Sequence, residues 1–366
     1  MKPLTLKNVN VGSIRDELRA LWAAEALNDD AVIRARTHNM IVVVADNVSP
    51  QETTQRIIES TAERPGRVIV VDIDGDRKKP PDAWVTTYCR TVNHYQLCGE
   101  MITLTVGPSH LNDLHNAIVS LLAADLPVYL WWIGTLDTAN QFVSRLAHEA
   151  DRVIVNLDSF SDALVGIQTL AALARQYRVG DLAWVRLSVW RRLLAQFWDV
   201  PQTRAALNQI RTFDIHFVRG DSANPTASSL LLAGWLVKRL GWTINLVSKG
   251  PTGGYTAHYS QGKWQGKLEI VGTRIAGLAS GEIAQVFIQA GEQPPFVMPR
   301  LALNPDQQSI ETRWNDGAMH APRVSNQWGR LDDAHALVEE LDLGYDPEYE
   351  AALQGAMTII NGLIGS

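Results

Sequence analysis

The chain has 366 residues, 46% of them hydrophobic, and a net charge of −6. At about 100–200 residues per domain, two domains are expected, each long enough to bury a core without disulfide staples. The acidic balance argues against a nucleic-acid partner, which calls for a basic patch. Two cysteines exclude a disulfide framework, and no apolar run reaches the roughly 20 residues of a bilayer span. A cytoplasmic protein that neither crosses a membrane nor carries a secretion signal is expected.

In chain order, Ser13–Leu27 opens on a capping Ser and places Ile14, Leu18, Leu21 and Trp22 at helical spacing. Asn39–Asp46 reads as a short strand buried on both faces. Ser49, Pro50 and Glu52 form a capping box before a helix that runs to Arg64. Gly66–Asp76 reads as another buried strand, and Trp84–Val106 as one or two more. Pro108–Asp125 reads as helix, and the run LLAADLPVYLWWIG (Leu121–Gly134) ends in a buried strand with two tryptophans. Thr138–Ala150 (helix), Asp151–Asp158 (strand) and Ser161–Tyr177 (helix) continue the alternation of an α/β layer with a mostly parallel sheet.

A second domain is expected from residue 178, giving domains 1–177 and 178–366. Asp181–Asp199 is amphipathic, Thr212–Gly220 reads as strand, and Ala223–Gly241 as a helix ended by Gly. Trp242–Ser248 reads as strand. From Gly250 alternating segments and Gly pairs predict an antiparallel meander, and terminal helices close the chain. The fold class expected is α/β, with an N-terminal α/β domain and a C-terminal α+β domain.

Several motifs invite chemistry. VIVVDIDGD resembles a phosphatase strand end, with Asp72 as nucleophile and Asp74 as acid. Asp76 stands where that motif places Thr or Val, and RKKPPDAW starts no helix, so a polar turn is the expected reading. His110 and His115 are five apart and share no helix face, so cap and surface roles are expected. GPTGGYT (Gly250–Thr256) reads as a hairpin turn. Arg219–Ser229 joins a strand to a helix, and Arg219, Asp221, Ser228 and Ser229 are candidates for holding an anion at the helix start. No metal-ligand set stands out, and nothing calls for a cofactor.

Cys89 and Cys98 are the redox candidates. If Asn93-His94 is a two-residue hairpin turn, Cys89 faces Cys98 with α-carbons about 4.5 Å apart, within disulfide reach. Reduced, buried thiols are the alternative. Twelve tryptophans supply large anchors for a core or an interface.

ERPGRVIVV, CGEMITLTVG and LLAADLPVYLWW, followed by DLAWVRLSVWRRLLAQFWD and LLLAGWLVKRLGW, resemble the glucose-6-phosphate dehydrogenase assembly protein (OpcA) family, and DELRALWAAE is similar to its cyanobacterial branch. The resemblance implies a non-catalytic allosteric activator that assembles glucose-6-phosphate dehydrogenase for the oxidative pentose phosphate pathway. It also implies a link to thioredoxin-dependent control. Exposed aromatic and Arg anchors are then expected among Trp131, Trp132, Trp184, Arg186, Trp190 and Arg191, with a place in the core as the alternative for each Trp taken singly. The alternatives are a sugar-phosphate enzyme using Asp72 and Asp74, and a metabolite sensor using the Arg219–Ser229 loop.

Overall fold

The computed structural model describes residues 7–9, 11–28, 32–45, 57–61, 64–134, 136, 140–199, 201–220, 225–250, 253–293, 296–304, 309–313, 324–327 and 331–364. The chain forms two units and passes between them more than once. One comprises Met1–Ser159, Leu173–Leu182 and Asp332–Tyr345; the other comprises Phe160–Ala172, Ala183–Leu331 and Asp346–Ser366.

The first unit is built on a sheet of nine strands among the described residues. These are β1 (Lys7–Val9), β2 (Val32–Arg34), β3 (Asn39–Val44), β4 (Arg67–Ile73), β5 (Asp82–Val92), β6 (Tyr95–Val106), β7 (Val128–Ile133), β8 (Arg152–Val155) and β9 (Val179–Asp181). Their order is β1-β5-β6-β4-β3-β7-β8-β9, with β2 alongside β6. From β6 through β9 every pairing is parallel; β5 runs antiparallel to β6, and β1 to β5. Every residue of β3 is buried, as a strand covered on both faces requires, and this is why NMIVVV shows no polar alternation. The head of β3 is tied by Asn39, whose side-chain amide exchanges hydrogen bonds with both the N–H and the carbonyl of Ala123.

Helices α1 (Ile14–Asn28), α2 (Leu111–Leu121) and α3 (Gln141–Glu149) stand where the apolar spacing places them. Leu111, Leu114, Ile118 and Leu121 form the buried stripe of α2. Asp125 takes φ 61° in the turn that follows. Residues 57–61 are helical; the capping box at Ser49, Pro50 and Glu52 lies outside the described residues.

The second unit carries eight strands, β10 (Ile210–Val218), β11 (Thr243–Lys249), β12 (Tyr255–Gln261), β13 (Trp264–Thr273), β14 (Ile283–Ala290), β15 (Arg300–Asn304), β16 (Ser309–Arg313) and β17 (Val324–Gln327). Their order is β11-β12-β13-β10-β14-β15-β16-β17. The meander expected from Gly250 onward is present, and β10 is inserted in its middle, parallel to β13 and antiparallel to β14. Buried and half-buried residues alternate along β10 and β14, so one face of the sheet is fully buried and the other only partly.

The helix expected over Asp181–Asp199 is two, α4 (Leu182–Arg186) and α5 (Ser188–Asp199). The first closes with a tight i+3 bond from the Leu187 N–H to the Trp184 carbonyl. Helix α6 (Ala227–Arg239) is capped by Thr226, whose side chain accepts from the Ser229 N–H. The chain ends in α7 (Asp333–Leu343), part of the first unit, and α8 (Pro347–Ile364). Gly234 of α6 meets the Ala352 carbonyl and the Ala356 backbone of α8, and Gly355 meets Gly234 in return. Two glycines let the backbones approach as no larger residue would. Among the described residues no helix is long and apolar enough to cross a membrane.

Candidate functional site

The β5–β6 hairpin places the two cysteines. Val92 pairs with Tyr95, so Asn93 and His94 make a two-residue turn, and Asn93 takes φ 54° as such a turn demands. Each step back from the turn keeps the register, and Cys89 lies opposite Cys98. The two form a disulfide with α-carbons 4.1 Å apart. Cys89 is exposed and Cys98 is buried. The partner of Cys98 on its other side is Arg34 of β2.

Two residues beyond Cys98, on the same side of β6, lies Glu100, wholly buried. Its carboxylate accepts from Trp22 Nε1 at 2.6 Å, Arg34 Nη2 at 2.6 Å and Arg67 Nε at 2.5 Å, and Arg36 Nη2 lies 3.0 Å away. The Arg34 guanidinium also stacks 4.6 Å from the centre of the Trp22 ring. Burial holds the Arg36 pKa below its ordinary value, the nearby Arg67 charge adds to that, and Glu100 opposes it. No motif in the sequence points to this hub. Its one signal there is a Glu inside the apolar strand GEMITLTV, because a buried charge needs partners.

Asp72 and Asp74 sit at the C-terminal end of β4. The Asp72 carboxylate accepts from Thr105 Oγ1 at 3.4 Å, and Asp74 accepts from the Asp76 N–H at 3.2 Å. The Arg77 N–H then bonds the Asp74 carbonyl, which makes the segment the polar turn that its composition predicts. His115 departs from the surface role expected of it. It is buried between α2 and α3, where its Nδ1 lies 2.9 Å from Arg145 Nη2 and its Nε2 lies 3.4 Å from Glu149. His110 precedes α2 and makes no side-chain cap bond. Among the described residues no group of three His, Cys, Asp or Glu is placed to hold a metal.

The structure corrects the expectation that the aromatic anchors are exposed. Trp131, Trp132, Trp184 and Trp190 are all buried, none above 5% exposure. Strand β7 is flanked by β3 and β8, so its two tryptophans lie in the sheet interior, not at an edge. Trp184 donates from Nε1 to Asp346 at 2.7 Å, and Arg191 lies 3.6 Å over its ring. Arg186 Nε donates to the Leu331 carbonyl at 2.8 Å. Both arginines are half-buried and engaged with their own unit. Large apolar rings gain most when fully removed from water, so core positions take them first.

At the strand–helix junction, the Arg219 N–H is bonded to the Thr273 carbonyl. Ser229 spends its N–H on the Thr226 hydroxyl and its own hydroxyl on the Thr226 carbonyl. Ser228 is buried. Asp221 lies outside the described residues. At Gly250, an N–H to the Gly254 carbonyl and a return bond from Gly253 close the hairpin turn between β11 and β12.

Two family models, both described as domains of a glucose-6-phosphate dehydrogenase subunit, match the chain in order. Residues 58–172 match the N-terminal domain and residues 177–353 the C-terminal domain. A Nostoc punctiforme protein that carries the name OxPP cycle protein OpcA is 33% identical over 230 residues, which cover 60% of this chain and 48% of that protein. Its namesake in Synechocystis sp. is 29% identical over 204 residues, covering 55% of this chain and 42% of the relative. The chain spans less than half the length of these curated relatives. The oxidoreductase domain protein of Kribbella flavida, a solved structure, aligns with a TM-score of 0.48 at 11% identity over 90% of this chain and 98% of that one.

Proposed function

The chain belongs to the glucose-6-phosphate dehydrogenase assembly protein (OpcA) family, in its cyanobacterial branch, and on that basis we propose that it is a non-catalytic, cytoplasmic partner that assembles and activates glucose-6-phosphate dehydrogenase. One observation carries this reading: the two domain models of that family match in order over residues 58–172 and 177–353. The break between the matches supports a functional division into residues 1–177 and 178–366. An activator works by binding the competent state of its target more tightly than the inactive state. Each 1.4 kcal/mol of that difference shifts the population ratio about tenfold.

The test is direct. Purified protein is added to the dehydrogenase, and activity against glucose 6-phosphate is followed together with the oligomer mass. A rise in activity with a shift in mass is expected. No change in either would sink the reading. Cross-linking of the complex then maps the contact surface and decides whether Arg186 or Arg191 reaches it.

A second reading rests on the Cys89–Cys98 bridge. Disulfides in reducing compartments are usually transient and redox-sensing, which supports tuning of the partner through this pair, with thioredoxin as reductant. Reduced and oxidised protein are expected to activate the dehydrogenase differently, and Cys89→Ser with Cys98→Ser to abolish the difference. A persistent response in the double variant would place the redox element in the enzyme instead.

A further inference from the structure

The Glu100 hub is electrically unbalanced. Three guanidiniums, from Arg34, Arg36 and Arg67, converge on one carboxylate. Among the described residues these three make no other ion pair, and the described charged groups of the hub sum to a surplus of two positive charges. The surplus is graded towards solvent: the Glu100 side chain is 0% exposed, Arg67 11%, Arg36 32% and Arg34 36%. Glu100 and the Arg67 side chain, which also donates to the Leu121 carbonyl, form the floor. Arg34 and Arg36 form a rim, and the half-buried Trp22 ring is the wall against which Arg34 is stacked.

Guanidiniums brought together out of water repel unless a counter-charge is present, and one carboxylate neutralises one of three. Arg36 Nε is buried and has no hydrogen-bond partner. Arg34 spends only Nη2 on Glu100, and its remaining N–H groups lie at the rim. An anion suited to this rim carries two charges and several acceptor oxygens. Planar Arg forks match the oxygens of phosphate, and stacking of Arg34 on Trp22 pre-orders one fork.

We propose that Trp22, Arg34, Arg36 and Arg67 form a binding site for a phosphate dianion, free or as the monoester of a small metabolite, with Glu100 as the buried template that holds the arginines in place. The site lies on different residues from the Arg219–Ser229 loop. The β2–β6 pairing sets Arg34 beside Cys98, so the anion rim and the disulfide lie on neighbouring strands.

The test uses the intact chain alone, so its failure is distinct from failure of the assembly role. Inorganic phosphate and glucose 6-phosphate are each titrated calorimetrically at constant ionic strength, with chloride as the reference ion. Saturable binding at one site per chain is expected, tighter at pH 8 than at pH 5, because a phosphate ester gains its second charge near pH 6 while Arg stays protonated. Arg34→Gln and Arg36→Gln are each expected to weaken binding about tenfold, as loss of a charge-assisted hydrogen bond does. Glu100→Gln, which keeps a carbonyl acceptor for the arginines and removes the competing charge, is expected to tighten it in the folded fraction. Should that variant fail to fold, the partly exposed Arg34→Gln, checked for fold by circular dichroism, carries the test by itself. A tighter sugar phosphate assigns the site to a metabolite, and equal affinity assigns it to the free ion; both support the proposal. Non-saturable titration, or identical isotherms for the native chain and Arg34→Gln, overturns it.

Discussion

Cys89 and Cys98 are directly opposed across the β5–β6 hairpin and joined by a disulfide, one thiol position exposed and the other buried. The bridge spans a sequence separation of 9. Closing so short a loop restrains the unfolded chain and is worth about 2 kcal/mol. Urea unfolding with and without dithiothreitol is expected to show that loss on reduction. The variant with both cysteines changed to Ser is expected to unfold at one midpoint in both conditions. An unshifted midpoint for the native chain would mean the bridge contributes nothing to stability.

Arg152 and Glu340 form a buried ion pair between β8 and α7, with side-chain exposures of 6% and 2%. Removing one partner strands the other charge, so Glu340→Leu is expected to cost about 3–5 kcal/mol. The paired change Arg152→Met with Glu340→Leu is expected to recover most of that loss, because two apolar side chains need no counter-charge. A double-mutant cycle in urea measures both values. Equal damage from the single and double variants would show that packing, not charge, governs this contact.

His38 is buried at the start of β3, its Nδ1 2.9 Å from Thr37 Oγ1, and its Nε2 has no hydrogen-bond partner. Burial pulls its pKa down to about 4, and the Arg64 charge acts in the same direction. The unfolded chain takes up this proton near pH 6.5 and the folded chain only near pH 4. Stability is therefore full above pH 6.5 and is lost as pH falls through that window. The loss is about 3 kcal/mol at 1.36 kcal/mol per pH unit. His38→Phe is expected to lose that much less between pH 7 and pH 4, read from urea midpoints across the range.

Asp214 carries the opposite sign. It lies in register with Glu269 on the parallel strands β10 and β13. Burial, then the Glu269 charge, raises its pKa to about 6. The folded chain holds this proton longer than the unfolded chain, so the group lowers stability as pH rises from 4 to 6. Asp214→Asn is expected to stabilise the protein at pH 7 and to make no difference below pH 4. A variant that is less stable at pH 7 would show that the carboxylate has a compensating partner.

Trp184 separates core from interface. Its indole bonds Asp346 and lies beneath Arg191. Trp184→Phe is expected to cost about 1–3 kcal/mol in unfolding, through the lost charge-assisted bond to Asp346 and a weaker ring face for Arg191. Activation of the dehydrogenase per folded molecule is expected to stay unchanged. Loss of activation without loss of stability would make this ring an interface anchor.

Much of this protein is legible in its order of residues. The β-branched run at Val42–Val44 and the spacing of Leu111, Leu114 and Ile118 set strand and helix locally, because periods of 2 and 3.6 decide which side chains share a face. A two-residue turn at Asn93-His94 is enough to set Cys89 against Cys98, since strand register propagates residue by residue. The order of motifs such as LLAADLPVYLWW and LLLAGWLVKRLGW is enough to place the family. What covers each face was decided only in three dimensions. An apolar stripe reads alike whether it meets its own sheet or another protein, so the burial of Trp131, Trp132, Trp184 and Trp190 followed from packing alone. The insertion of β10 between β13 and β14 and the meeting of Trp22, Arg34, Arg36 and Arg67 on Glu100 join segments distant in the chain. Local pattern carries no term for such encounters; only the folded core, by taking one carboxylate out of water, gathers these cations around it.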